Sequence, residues 1–284
     1  VYEFIEYVVR GALLGVTYGL LAFPVSLVFI TTGSVDVALG AYAVLAVAVM
    51  YFVGGPLGVM LAIGAAVLAA GIVGIISMRL NRPGAVDHLI PVLGTFGLAT
   101  FLESMILTNF GTAPMIRQPF DTFWNVFGIR ISPQVGINVV ICLLILGALY
   151  FIINRTPFGR AMRASAVNPT GASLAGIPVR RIWFSTYLLG GLMAGIAGVL
   201  ILFTTGADYS TSFNLTIWGF GSAIIFGLRS PLRGFLGGLI IGVTQALCSG
   251  YLPSSLSTTV PLIFIFVVLA IGKNNQIAAT GGRV

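Results

Sequence analysis

Charge is scarce in this 284-residue chain: Asp, Glu, Lys and Arg together make up 7% of it, against about a quarter in an ordinary soluble domain. With 58% hydrophobic residues, a globule of this size cannot hide its apolar surface from water. Lipid must be the second solvent, and the sequence reads as a polytopic membrane protein. Histidine is nearly absent as well. The single His88 sits in the turn RPGAVDHLIP with no second His or Cys nearby, so a metal centre lacks ligands. Paired-carboxylate, nucleophilic-serine and metalloprotease chemistries lack partners too. No Gly-rich phosphate loop of Walker type occurs, so ATP hydrolysis is not expected from this chain, and no cofactor of its own is expected. The two cysteines, Cys142 and Cys248, lie in apolar stretches and read as buried thiols. The N-terminal VYEFIEYVVRGALLG has neither the basic region nor the small-residue cleavage site of a secretory signal, so its apolar stretch is expected to remain. A net charge of +7 without a basic run interleaved with aromatics argues against nucleic acid as a partner.

Long apolar runs are what the chain does have. Crossing the hydrocarbon core takes about 20 mostly apolar residues in a helix. That template fits residues 8 to 30, 56 to 80, 90 to 109, 134 to 153, 182 to 204, 232 to 250 and 256 to 272. Two further segments, 34 to 53 and 212 to 228, begin among polar residues and are candidates for broken or re-entrant helices. The expectation is an all-α transmembrane helix bundle of eight or nine segments, forming one domain over 1–284. Arg79 and Arg82, the group Arg155, Arg160, Arg163, Arg180 and Arg181, and Lys273 with Arg283 follow or join spans, and the positive-inside rule puts all three regions, with the C-terminus, in the cytoplasm. The loop 110 to 133, with Trp124, then falls outside. Arg10, Glu3 and Glu6 nearly cancel and leave the side of the N-terminus open. Thr32-Gly33-Ser34-Val35-Asp36 is echoed by Thr205-Gly206-Ala207-Asp208, each after an apolar helix rich in Gly and Ala, which raises an internal duplication.

The cytoplasmic connection 154–181 carries the strongest local signal. Asn168 before Pro169 is a helix start: a capping side chain, then a proline whose missing N–H costs nothing at the first helical position. A short surface helix is expected over PTGASLAGI, with Leu174 and Ile177 as apolar knobs and an end near Gly176. It either rests on its own bundle or plugs a groove in a partner.

TPFGRAMRASAVNPTGASLAGIPVRRI closely resembles the coupling segment of bacterial ABC-importer permeases of the branched-chain amino acid type, with Gly159, Arg160, Ala161, Arg163, Ala164, Ala166, Ala172, Gly176 and Ile177 on the pattern. RLNRPGAVDHLIPVLGTFGLATFLE and SAIIFGLRSPLRGFLGGLIIGVTQAL extend the resemblance in order along nearly the whole chain. It implies a subunit of the bacterial inner membrane without ATPase activity, paired with a second similar permease. Two cytoplasmic ATPase subunits would bind ATP and grip the coupling segment, and an extracytoplasmic solute-binding protein would deliver substrate. The chain departs from the family pattern in three places. Arg229 and Arg233 bracket a turn that is usually uncharged, a tail KNNQIAATGGRV replaces an Arg-Pro-rich ending, and the opening stretch has Asp36 where an asparagine followed by His and Glu is usual. Thr32 through Ala41 are at least as similar to sugar permeases, which makes a sugar the alternative substrate.

An ionised carboxylate at membrane depth is costly and usually faces a wet cavity or a partner. Asp36 is a candidate N-cap for a helix 37 to 53, a substrate-path residue or a proton relay. Gly33, Gly40, Glu103, Asn214 and Trp218 complete the candidate path. Glu103 needs a partner on another helix, and Gly219, Gly221 and Ser222 permit close helix approach. The rival of another class is a stand-alone proton-coupled transporter or channel.

Overall fold

Eight of the nine apolar segments are helices, and their boundaries follow from turn chemistry at their ends. The computed structural model describes residues 2–80, 89–120, 122, 124–126, 129–228, 231–252, 262–264 and 266–267. The helices are α1 (Tyr2–Thr32), α2 (Leu39–Val53), α3 (Gly55–Leu80), α4 (Leu89–Phe110), α5 (Pro133–Arg155), α6 (Pro157–Val167), α7 (Pro169–Leu174), α8 (Val179–Leu202), α9 (Thr211–Ile225) and α10 (Pro231–Tyr251). Six of them, α1, α3, α4, α5, α8 and α10, are long and apolar enough to cross a membrane. The segments 34–53 and 212–228 become α2 and α9, each 15 residues. At 1.5 Å per residue that is about 22 Å, short of the roughly 30 Å core, so neither crosses it alone. The expected span 256–272, His88 and the charged tail lie largely or wholly outside the described residues, as does Arg229. The loop 110–133 carries an unanticipated antiparallel pair, β1 (Trp124–Val126) and β2 (Ile129–Ile131), with Asn125 opposite Arg130.

Two ends of the bundle can be told apart. At one end lie α6 and α7, between the end of α5 and the start of α8. At the far end, Arg117 binds backbone carbonyls of both Tyr51 in α2 and Leu202 in α8, and Tyr7 of α1 meets the ring of Tyr251 in α10. Arg10 of α1 lines a cavity with Gln118 and Phe203, so α1 runs from the far end toward the end that carries α6 and α7.

The echo between the two Thr-Gly stretches is structural. Gly33 and Gly206 both have positive φ, 71° and 68°, a conformation that favours glycine. Each ends a long helix, is followed by an aspartate, and leads three residues after that aspartate into a 15-residue helix. The packing repeats as well: α1 packs on α10 and α9 as α8 packs on α3 and α2. Because α1 runs away from the far end and α8 runs toward it, α1–α2–α3 and α8–α9–α10 form an inverted repeat, an arrangement that in transporters brings broken helices together near the membrane midplane.

Small residues allow the close crossings. A Cβ on Gly15 of α1 would lie 2.6 Å from the Gly238 carbonyl of α10, and one on Gly195 of α8 2.9 Å from the Ala66 side chain of α3. Without a hydrophobic drive between helices in lipid, such contact is what holds them. Leu93, Phe101, Leu143, Leu144 and Phe151 on α4 and α5 are exposed, as a lipid-facing surface requires. Cys142 and Cys248 are buried free thiols.

Candidate functional site

The break between α1 and α2 gathers polar side chains from six helices. Thr32 and Ser34 are hydrogen-bonded at 2.9 Å. Ser34 reaches the Tyr187 hydroxyl of α8 at 3.3 Å, and Tyr187 reaches Ser77 of α3 at 2.8 Å. On the other side of the break, the Val37 amide donates to Thr95 of α4 and the Gly40 amide donates to Thr216 of α9, at 3.2 and 3.0 Å. Thr216 also lies 3.0 Å from the Val37 carbonyl. The freed backbone groups of a broken helix thus find side-chain partners, which is the condition for irregular backbone at membrane depth.

Asp36 stands at the centre of this junction, only 2% exposed. Its carboxylate accepts from the Ala38 amide at 2.9 Å and from the Tyr42 hydroxyl at 3.3 Å. The expected cap at the start of a helix from residue 37 is corrected in detail. Ala38 already has helical angles, the regular helix begins at Leu39, and Asp36 binds the turn one step earlier instead of occupying the N-cap position. Among the described residues the only ion pair is Arg10–Glu6, so Asp36 is held by neutral donors.

The other candidate residues divide into two groups. Gly40 packs where a Cβ would run into the Ser212 carbonyl of α9, and the Ser212 hydroxyl donates to Glu103 of α4. Gly40 and Glu103 therefore meet at the α2–α4–α9 junction, Asp36 precedes Val37, which bonds Thr95 of α4 and Thr216 of α9, and Gly33 makes the turn at the end of α1. Asn214 and Trp218, two residues from Ser212 and Thr216, project from the opposite face of α9. Trp218 packs at a tilt on Tyr18 of α1, ring centroids 4.9 Å apart, and its buried indole N–H has no acceptor among the described residues. Sequence reasoning missed Tyr42, Ser77, Thr95 and Tyr187, each a lone hydroxyl in an apolar run, and Ser212, the last residue of the polar stretch 208–212. Asp208, present only in the sequence echo, anchors the second junction. Burial alone would raise its pKa, but hydrogen bonds from Thr211 and Ser210 hold it below the usual carboxylate range.

The connection at the other end is built as the sequence indicates and contains one more helix than expected. Thr156 accepts from the Gly159 amide to start α6, where a Cβ on Gly159 would strike the Ile153 backbone. Arg163 donates to Asn154 at 3.0 Å, and Arg160 is exposed. Asn168 accepts from the Gly171 amide at 2.9 Å to start α7, with Pro169 at its first position. Gly176, at φ 81°, closes α7 with the Ile177 amide bonded to the Ala172 carbonyl. Ala172 is buried and Ile177 packs on the core, while Leu174 is 85% exposed. Of the two expected knobs, only Leu174 projects.

Comparison with known proteins matches the description "branched-chain amino acid transport system / permease component" over residues 7–271. The high-affinity branched-chain amino acid permease protein LivH of Escherichia coli K12 is 26% identical, over 94% of this chain and 93% of its own. A probable permease of the same name from Methanocaldococcus jannaschii is 30% identical, over 84% and 79%. Permeases for fructose and L-arabinose also match. Among solved structures, PsaBC from Streptococcus pneumoniae in complex with Fab covers 94% of both chains at 13% identity with a TM-score of 0.56, a likeness of fold. The resemblance in the coupling segment, the six long apolar helices and a match along almost the whole chain agree: this multi-pass membrane protein belongs to the permease-component family of branched-chain amino acid transport systems.

Proposed function

We propose that the chain is the permease subunit of an ATP-driven importer in the bacterial inner membrane, moving branched-chain amino acids or related small amides and carboxylates inward. The observation that carries this reading is the family match together with α7, a capped helix that presents Leu174 to the outside of its own bundle. An apolar knob that finds no cover in its own chain fits a groove on a partner. The partners are two cytoplasmic ATPase subunits, a second similar permease and an extracytoplasmic solute-binding protein. With α6–α7 and the C-terminus cytoplasmic, the N-terminus and the strand pair lie outside. ATP-driven closure of the ATPases would shift α6–α7, and the inverted repeat would rock between openings to either side. The chain itself performs no catalysis and needs no cofactor in this scheme.

Purification from membranes with identification of the co-purifying subunits tests the assembly. Uptake of radiolabelled leucine into vesicles should stop when the ATPase partner is inactivated and should survive an uncoupler. Uptake that an uncoupler alone abolishes would establish the stand-alone proton-coupled transporter instead. The sugar alternative has the opening stretch and the fructose and L-arabinose permeases in its favour. Competition of leucine uptake by valine but not by L-arabinose would dismiss it.

A further inference from the structure

At the far end, residues 115–120 cross the bundle as a strap tied at three points. The Met115 and Ala207 backbones exchange two hydrogen bonds, 2.9 and 3.1 Å, beside the second junction. The Arg117 amide donates to the Leu202 carbonyl at 3.1 Å. The Arg117 side chain turns the other way: Nη2 donates to the Tyr51 carbonyl in the last turn of α2 at 2.7 Å, and the guanidinium lies 5.6 Å from the centre of the Tyr51 ring. A cation bonded to a helix C-terminal carbonyl is favoured by the helix dipole. A Cβ on Gly54 would lie 2.6 Å from Arg117 Nη1, so the α2–α3 turn closes directly on the guanidinium.

The next three residues, Gln118 to Phe120, roof a cavity of about 260 Å³. Its other walls include Leu13, Leu14 and Thr17 of α1 and Val135 and Asn138 of α5, with Arg10 at its edge. The volume falls below the range of about 300–1,000 Å³ typical of drug-sized ligands. Leu13, Leu14, Val135 and Phe203 supply apolar wall, and Thr17, Gln118 and Asn138 bring hydroxyl and amide groups beside it. A small solute with an aliphatic body and hydrogen-bonding groups meets both kinds of surface there. The cavity borders Phe203 to Thr205, the end of the helix that breaks at Gly206, so it lies next to the second junction of the inverted repeat.

Resting on the importer reading above, we propose that this cavity is the far-side vestibule for the transported solute and that Arg117 is the positioning residue that latches its roof. One guanidinium ties the strap to α2, whose other end is the Asp36 junction. Opening the strap and freeing α2 are then one event.

The test uses the assembled importer in right-side-out vesicles, with Cys142 and Cys248 replaced by alanine and Thr17→Cys placed in the cavity. A membrane-impermeant methanethiosulfonate reagent is added from outside. With the latch closed, labelling of Thr17→Cys should be slow. Arg117→Gln removes the charged hydrogen bond and should speed labelling roughly tenfold or more, while Arg117→Lys, which keeps a cation for the Tyr51 carbonyl, should stay near the parent rate. An unchanged rate in Arg117→Gln overturns the latch. L-leucine and L-arabinose are each added as protectants. Protection by leucine supports the vestibule with its aliphatic solute; protection by arabinose alone supports the vestibule while refuting the amino acid reading. Protection by neither overturns the vestibule.

Discussion

Asp36 is buried, yet among the described residues the groups that bind it are neutral donors two and six residues along the chain, so its role is local before it is anything else. In Asp36→Asn the remaining carbonyl oxygen can still accept from the Ala38 amide, and the new amide can donate to the Tyr42 hydroxyl. That variant should unfold within about 1 kcal/mol of the parent and transport with the same selectivity, whereas Asp36→Ala, leaving buried donors unmet, should lose about 1–3 kcal/mol. Thermal unfolding in detergent and competitive uptake measure the two, and altered selectivity in the asparagine variant would place the side chain on the solute path. Asp208 behaves differently because it titrates from a lowered pKa. A carboxylate held below its unfolded value of about 3.9 contributes stability that is complete above that pH and fades as pH falls through the folded value. Asp208→Asn should therefore lower the unfolding midpoint near neutrality and flatten the further loss of stability below about pH 4, as unfolding scans across that range would register.

At the scale of elements, α2 and α9 are where backbones come closest. Gly40 sits against the Ser212 carbonyl, and Ser212 in turn bonds Glu103. Gly40→Ala should force the crossing apart and destabilise by about 1–3 kcal/mol or more, since packed interiors rarely yield to an added methyl. Alanine at Gly97, where a Cβ meets nothing within 4 Å, is the control and should be neutral in the same unfolding assay. The long helices were legible because about 20 apolar residues in a row have few other fates. The shortness of α2 and α9 was only half legible: the polar residues at 33–36 and 208–212 announced a break, while apolarity continued past the point where each helix begins. The convergence of Ser34, Tyr42, Ser77, Thr95, Tyr187 and Thr216 was invisible, because a lone hydroxyl in an apolar run is often satisfied by its own helix. Thr31, bonded to the Leu27 carbonyl, looks the same in sequence as Thr216, which joins two helices. The strand pair was hidden by its brevity, three residues on each side.

Over the whole molecule, two features lie at opposite ends: α7 with its projecting Leu174, and the strap with Arg117. Transport requires that an event at one be felt at the other, and the inverted repeat supplies rigid helices packed on one another in between. Leu174 is the site where that linkage can be cut without touching the fold. Its side chain is 85% exposed, and the helix carrying it is fixed by Asn168, Ala172 and Gly176 instead. Leu174→Asp should leave the unfolding midpoint of the isolated subunit unchanged within about 0.5 kcal/mol, the usual effect of a surface substitution. It should nevertheless release the ATPase subunits on purification and abolish ATP-driven uptake, because a carboxylate buried in an apolar groove without a partner is expelled. Asn168→Ala offers the contrast. It weakens α7 itself by about 1 kcal/mol and should reduce ATPase association only partly, since the knob survives on a frayed helix. Full ATPase association by Leu174→Asp would mean that α7 rests against lipid or another face of its own assembly, and the coupling role would pass to the exposed Arg160 and Arg163 of α6.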